Sequence, residues 1–221
     1  VRRAVALFEE AKRRRANLVP LRLQLMLLYG QLRRFDDLFK ELDVILGLSP
    51  QARQMLLPEL VRLIADPDGR RALAAVIIQN PEWKEPFYAV AQTQNPNPAD
   101  VASLIGELKR LQPSYDDAAE RRLLISALVH GGDVGRAHDL WLSFLPPDVR
   151  ERSRLIFDGE FRGYAAAPPF GWHFAQSDVG RAEIRVTPGE PSHLLIDYFG
   201  GRTVVLAEQV LALSPGRYTM D

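Results

Sequence analysis

The hydrophobic periodicity of this chain changes once, near residue 146, and that change limits what the chain can fold into. Upstream, apolar residues return at spacings of three and four, the period of an amphipathic helix. Downstream they alternate, the period of a half-buried strand. One layer cannot serve both patterns, so the chain reads as multidomain, α then β: a helical part over residues 1–147 and a strand part over 148–221. A length of 221 residues accommodates two modest domains, and a hydrophobic fraction of 47% gives each of them a core.

In the helical part, Asp133 can cap a helix whose Val134, Ala137, Trp141 and Phe144 share one face, and Pro146-Pro147 stops it. Before it, Ser114 can cap a helix running to His130, with Leu123, Leu124, Ala127 and Leu128 on one side and Gly131-Gly132 as terminator. These two predict an αα-hairpin with Trp141 in the core of the helical array. Earlier, Leu21, Leu25 and Leu28 line one helix, and Phe35, Leu38, Leu42, Ile45 and Leu46 line the next. Asp66-Pro67, Asn80-Pro81 and Asn97-Pro98 each join a capping side chain to a proline suited to a first turn, so each is predicted to open a helix. The third of these carries Val101, Leu104, Ile105, Leu108 and Leu111 on one face. Pro58 and Pro86 read as first-turn prolines or local breaks. Roughly eight or nine helices with tight joints predict a stack of hairpins, an α-α superhelix.

Leu124, Ala127, Leu128, Gly132, Ala137, Trp141 and Leu142 look like the alternating small and large packing positions of a tetratricopeptide repeat. On these residues, and more loosely on residues 25–46, the helical part resembles a degenerate tetratricopeptide-type array. The resemblance implies a concave surface that takes up a peptide or a partner protein.

In the strand part, Ala182, Ile184 and Val186 alternate with Arg181, Glu183 and Arg185. A turn over 188–192, a strand over 193–199, a Gly200-Gly201 turn and a longer third strand over 203–213 follow. Five marks stand in a fixed order: Phe157-Asp158-Gly159-Glu160-Phe161, Gly171-Trp172, Leu194-Leu195-Ile196, Gln209-Val210 and Leu213-Ser214-Pro215-Gly216-Arg217-Tyr218. In that order they resemble the N-terminal half of a galactose-binding-like jelly roll, a fold that includes many carbohydrate-binding modules. The resemblance implies an incomplete antiparallel β-sandwich and a glycan as candidate ligand. Asp158-Gly159-Glu160-Phe161 departs from the family's opening segment, lacking its asparagine and acidic ending. A jelly roll has eight strands and fewer are readable here, so the sheet is expected to be completed by sequence beyond Asp221 or by another chain. Val1 sits inside a helical pattern, which likewise leads us to expect sequence upstream.

Trp172, with Phe170 and His173 beside it, is the candidate carbohydrate-binding residue, because an aromatic face suits the C–H face of a sugar ring. The competing reading, a core plug beside Phe161, weighs more heavily. Tyr198 is the second candidate; its neighbour Asp197 points to the opposite face of the same strand. No residue is assigned a catalytic or metal-binding role, and no cofactor is implied. His130, His138, His173 and His193 lack metal-ligand spacing. Asp36-Asp37 and Asp116-Asp117 suit first turns, where the helix dipole favours negative charge. Gly131-Gly132-Asp133-Val134-Gly135 joins helix to helix, which is not the strand-to-helix context of a dinucleotide loop. The absence of cysteine removes thiol chemistry and disulfides. Basic and acidic residues balance at 28 each, so no global field draws the chain to nucleic acid. The run Lys12-Arg13-Arg14-Arg15 is expected on a solvated helix face. No apolar run reaches the ~20 residues of a membrane span.

The leading functional expectation is a non-catalytic scaffold or adaptor, with a protein or peptide partner in the groove of the array and a carbohydrate-recognising sandwich. The alternative is the accessory region of a larger cell-envelope polysaccharide-processing or secretion protein whose catalytic part lies elsewhere. Arginine outnumbers lysine 24 to 4, which points to a GC-rich bacterial source. The cell envelope, the periplasm and the cytoplasm all stay open as compartments.

Overall fold

The computed structural model describes residues 2–153, 156–164, 166–187, 189, 191–213 and 216–219. Pro188 and Glu190 of the expected turn, and Ser214-Pro215 of the last motif, lie outside them. Among the described residues ten α-helices precede four short β-strands, and the chain forms two units, Val1–His130 and Gly131–Asp221.

The first unit holds α1 (Arg2–Arg14), α2 (Val19–Gln31), α3 (Phe35–Leu48), α4 (Pro50–Arg62), α5 (Pro67–Ile77), α6 (Lys84–Gln94), α7 (Pro98–Leu111) and α8 (Ala118–His130). Local chemistry sets several of these starts. The Asp66 carboxylate accepts the Gly69 N–H at 2.7 Å, and the Asn97 side chain accepts that of Ala99 at 2.8 Å. Each satisfies a first-turn donor that the helix leaves orphaned. Ser49 caps α4 in the same way. Asn80-Pro81 differs from expectation: Asn80 takes a left-handed φ of 55° and the pair forms a turn, so α6 opens only at Lys84, with Pro86 in its first turn. The helix expected from Ser114 begins instead at Ala118, whose N–H is taken by Asp116. Pro58 neither starts nor breaks a helix; it lies inside α4, where the Gln54 carbonyl loses its usual donor.

The helices of this unit pack in an overlapping order. α1 meets α2, α2 meets α3, and α3 meets α4 and α5. Further on α4 meets α6, α5 meets α7, and both α6 and α7 meet α8. Apolar residues at helical spacing fill the joints: Leu42 and Ile45 of α3, Leu73 and Ile77 of α5, Leu104 and Leu108 of α7, all essentially inaccessible. Each such side chain contributes about 1.5–3 kcal/mol when withdrawn from water. Phe39, Trp83, Phe87 and Tyr88 run through this core as a chain of ring contacts. The basic run on α1 is not wholly solvated. Lys12 turns inward onto the buried Glu41 of α3 at 2.6 Å, and Arg22 of α2 meets the same carboxylate, so three helices share one charge cluster.

The second unit holds α9 (Val134–Ser143) and α10 (Pro147–Arg152), then β1 (His173–Phe174), β2 (Gly180–Arg185), β3 (His193–Tyr198) and β4 (Ala207–Glu208). Asp133 caps α9 as its sequence suggests. Pro146-Pro147 ends one helix and opens the next. Trp141 of α9 is buried, as its spacing requires, but its neighbours differ from those expected. Its ring meets His138, Phe157 and Phe170, and its indole N–H donates to the Ala167 carbonyl at 2.9 Å. The positions resembling a repeat therefore fall in two units, Leu124 to Leu128 in one and Ala137 to Leu142 in the other.

β2 and β3 form an antiparallel hairpin with Ala182 opposite Ile196. β1 pairs antiparallel with β4, placing His173 opposite Glu208. The strands thus form two two-stranded sheets, β1-β4 and β2-β3, with an isolated bridge between Gln176 and Arg181 and the Ala182 N–H on the Ala175 carbonyl beside them. The long third strand expected over residues 203–213 is reduced to Ala207–Glu208; Leu206 instead packs over Gly180, where a Cβ would lie 2.9 Å from it.

Candidate aromatic cavity of the second unit

Asp158 organises the loop from which the candidate site is built. It is buried, with a left-handed φ of 47°. Its carboxylate accepts three backbone N–H groups, from Arg162 at 2.8 Å, Gly163 at 2.9 Å and Tyr164 at 3.1 Å. A carboxylate so engaged holds the loop closed and has little capacity left for an ion or ligand. Glu160 is tied to Arg162 at 2.5 Å, a bond that holds the guanidinium proton more tightly than usual. The opening motif is thus structural in this chain.

The main-chain carbonyl of the same Asp158 accepts the Trp172 indole N–H at 3.3 Å. Phe161 lies 5.4 Å from the indole in a tilted contact, and Phe174 lies 6.1 Å away with its ring nearly parallel. Gly171 makes this placement possible. A Cβ there would stand 2.1 Å from the Ala166 carbonyl oxygen, so only glycine lets the two chain segments approach so closely. Trp172 is half-buried: it is packed on Phe161, as a plug would be, and it also lines an open cavity of about 530 Å³. Phe174, Tyr164, Ile184 and the backbone around Ala166 and Ala167 complete the lining. The surface is aromatic and apolar with peptide groups at its border. It can receive a flat, weakly polar face and meet hydroxyl groups at its edge.

The residues flanking Trp172 go elsewhere. Phe170 is buried against Trp141 and His138. His173 is exposed on β1, opposite Glu208. Tyr198 lies opposite Gly180 at the end of β3, exposed, with its hydroxyl donating to the Arg202 carbonyl. It is not among the residues lining the cavity, although Ile184, on the same face of the hairpin, is. Asp197, on the opposite face, pairs with Arg181 across the strands at 2.9 Å. Phe174 was missed in the sequence, where its position two residues after Trp172 in extended backbone was the signal that could have found it. Tyr164 carries no such signal, because only the Asp158 loop brings it round.

Among the described residues no group of three His, Asp or Glu side chains could hold a metal ion, and no helix is long and apolar enough to cross a membrane. No protein-family model, no curated protein and no solved structure matches this chain.

Proposed function

We propose that this chain is a non-catalytic binding protein whose second unit recognises a carbohydrate at the Trp172 cavity, and whose helical array serves as an adaptor for a protein or peptide partner. The cavity of about 530 Å³ carries the reading. It presents Trp172, Phe174 and Tyr164 on one open surface, with the indole oriented by its hydrogen bond to Asp158. Aromatic rings held in this manner are suited to stacking on a pyranose. The antiparallel pairing of its short strands into two small sheets supports reading the unit as part of an antiparallel sandwich. The overlapping helix order of the first unit supports a repeat-like superhelix, and such stacks commonly present a groove to partners.

The test is a glycan-array screen of the chain, with Trp172→Ala and Phe174→Ala beside it and circular dichroism to show that all three are folded. A reproducible glycan signal that falls about tenfold or more on loss of the indole is the expected result. A blank array from folded protein, or a signal indifferent to both changes, overturns the carbohydrate reading and leaves Trp172 as a core residue.

A further inference from the structure

The first unit contains a second cavity, of about 370 Å³, where the end of α3, the start of α4 and the α5–α6 connection meet. Its lining includes Asp43, Leu46, Arg53, Asn80, Glu82 and Trp83. Buried and half-buried charges elsewhere in the array include pairs such as Lys12 and Arg22 on Glu41 and Arg70 on Asp100. Here, among the described residues, Asp43, Arg53 and Glu82 make no ion pair.

Arg53 donates its Nε–H to the Leu46 carbonyl at 2.6 Å, one of the acceptors left over at the end of α3. That bond fixes the guanidinium plane and leaves both Nη groups uncommitted, and such an end-on fork matches a carboxylate. Asp43 accepts the Trp83 indole N–H at 2.8 Å with one oxygen and has the other to spare. The Asn80 side chain is exposed and makes no hydrogen bond among the described residues; the left-handed backbone at that position holds it beside the cavity. Leu46 and Trp83 supply a buried apolar floor. Two acids outnumber the one base, so a lone anion is disfavoured. The complementary ligand carries a carboxylate with a cation next to it.

We propose that this cavity binds a peptide segment in which an acidic residue stands beside a basic one. The carboxylate lies on the Arg53 Nη pair, the cation between Asp43 and Glu82, and the Asn80 amide on the peptide backbone. The proposal rests on the reading of the array as the partner-binding part. The volume lies at the lower end of small-molecule cavities, enough for one or two side chains.

The test is an amide chemical-shift titration of the chain with the blocked peptide acetyl-Ala-Glu-Lys-Leu-Ala-amide and with its counterpart carrying glutamine at both charged positions. Shifts at Gly47, Asn80, Glu82 and the Trp83 indole N–H are expected with the charged peptide only. Arg53→Lys keeps the charge and loses the fork, and should weaken binding about tenfold. Asn80→Gly suits the left-handed backbone, so it removes the amide without strain; it should weaken binding about threefold. Equal affinity for both peptides, or no binding to the folded chain, overturns the proposal. Shifts elsewhere on the array that neither variant alters overturn this site while leaving the partner role of the array standing. Response to free glycine but not to the blocked peptide assigns the site to a free amino acid and overturns the peptide assignment.

Discussion

Replacing Trp141 by alanine should destabilise the second unit and leave the helices of the first as they are. The indole is 3% exposed and touches three rings, Phe157 at 5.3 Å, Phe170 at 5.6 Å and His138 at 5.8 Å between centroids. Removing a buried Trp side chain costs about 3–5 kcal/mol, the spread reflecting how far the cavity collapses. The lost indole N–H bond to Ala167 adds about 1 kcal/mol. Ala167 is exposed, so water can take over its carbonyl and the addition stays small. The sum, about 4–6 kcal/mol, rivals the whole stability of a small domain, about 5–15 kcal/mol. Hydrogen exchange followed residue by residue separates the two units. Opening free energies in β2, β3 and α9 should fall together, while those in α3, α5 and α7 hold. A fall below about 1 kcal/mol throughout the second unit would refute the burial of Trp141 between Phe157 and Phe170 as a main support of that unit. An equal fall across α3 to α7 would show that the two units unfold as one. Trp141→Phe keeps a ring and loses the N–H, and should cost about 1–2 kcal/mol.

Gly171→Ala should cost about 3 kcal/mol, at the upper end for overpacking, because the obstacle at 2.1 Å is a main-chain oxygen and not a flexible side-chain end; urea unfolding of the variant reads it directly. Glu120 of α8 is fully buried and accepts hydroxyl hydrogens from Tyr88 and from Tyr115, the latter at 2.7 Å. Glu120→Ala should therefore cost about 2–4 kcal/mol, since two buried donors lose their acceptor, and a thermal melt showing an unchanged array would contradict this. Burial, then the neighbouring Glu120, pushes the phenols of Tyr88 and Tyr115 well above their ordinary value, and burial with Glu9 does the same for Tyr29. A folded-state pKa raised above the unfolded value of about 10 contributes stability that is complete below pH 10 and is lost as pH rises beyond it. Alkaline titration followed by phenolate absorbance should show these three tyrosines ionising only as the array unfolds. Ionisation near pH 10 with helix content intact would count against that linkage.

Much of this fold was legible in the sequence because it is local. Three-and-four spacing put Leu42, Ile45, Leu104 and Leu108 on buried helix faces, and Asp66, Asn97 and Asp133 cap the helices they precede. The alternation from Arg181 to Arg185 gave a strand that pairs with the next one in antiparallel register. Capping and periodicity involve residues within one or two turns of each other, so they survive without knowledge of the rest of the chain. The turn at Asn80-Pro81 marks a limit of the same reasoning. The pair satisfies a helix-start pattern, yet the chain places Asn80 in a left-handed conformation and delays α6 by three residues.

What only the tertiary structure decided is which faces meet. Periodicity showed that Trp141 must be buried; that Phe157 and Phe170 bury it depends on where a loop some fifteen to thirty residues later returns. Trp172 could be named from its motif, but its cavity exists because Asp158 gathers three amides and Gly171 yields to the Ala166 carbonyl. The two candidate sugar residues went to different places: Trp172 precedes β1 of one sheet, and pairing register, which no single strand encodes, set Tyr198 opposite Gly180 in the other. Arg53, Asn80 and Trp83 carry no spacing that would join them; α3, α4 and the α5–α6 connection bring them to one cavity. Backbone preference and periodicity act over a few residues and are written in the chain, whereas long-range packing is a choice among many faces of similar hydrophobicity, made only when the whole chain competes for burial.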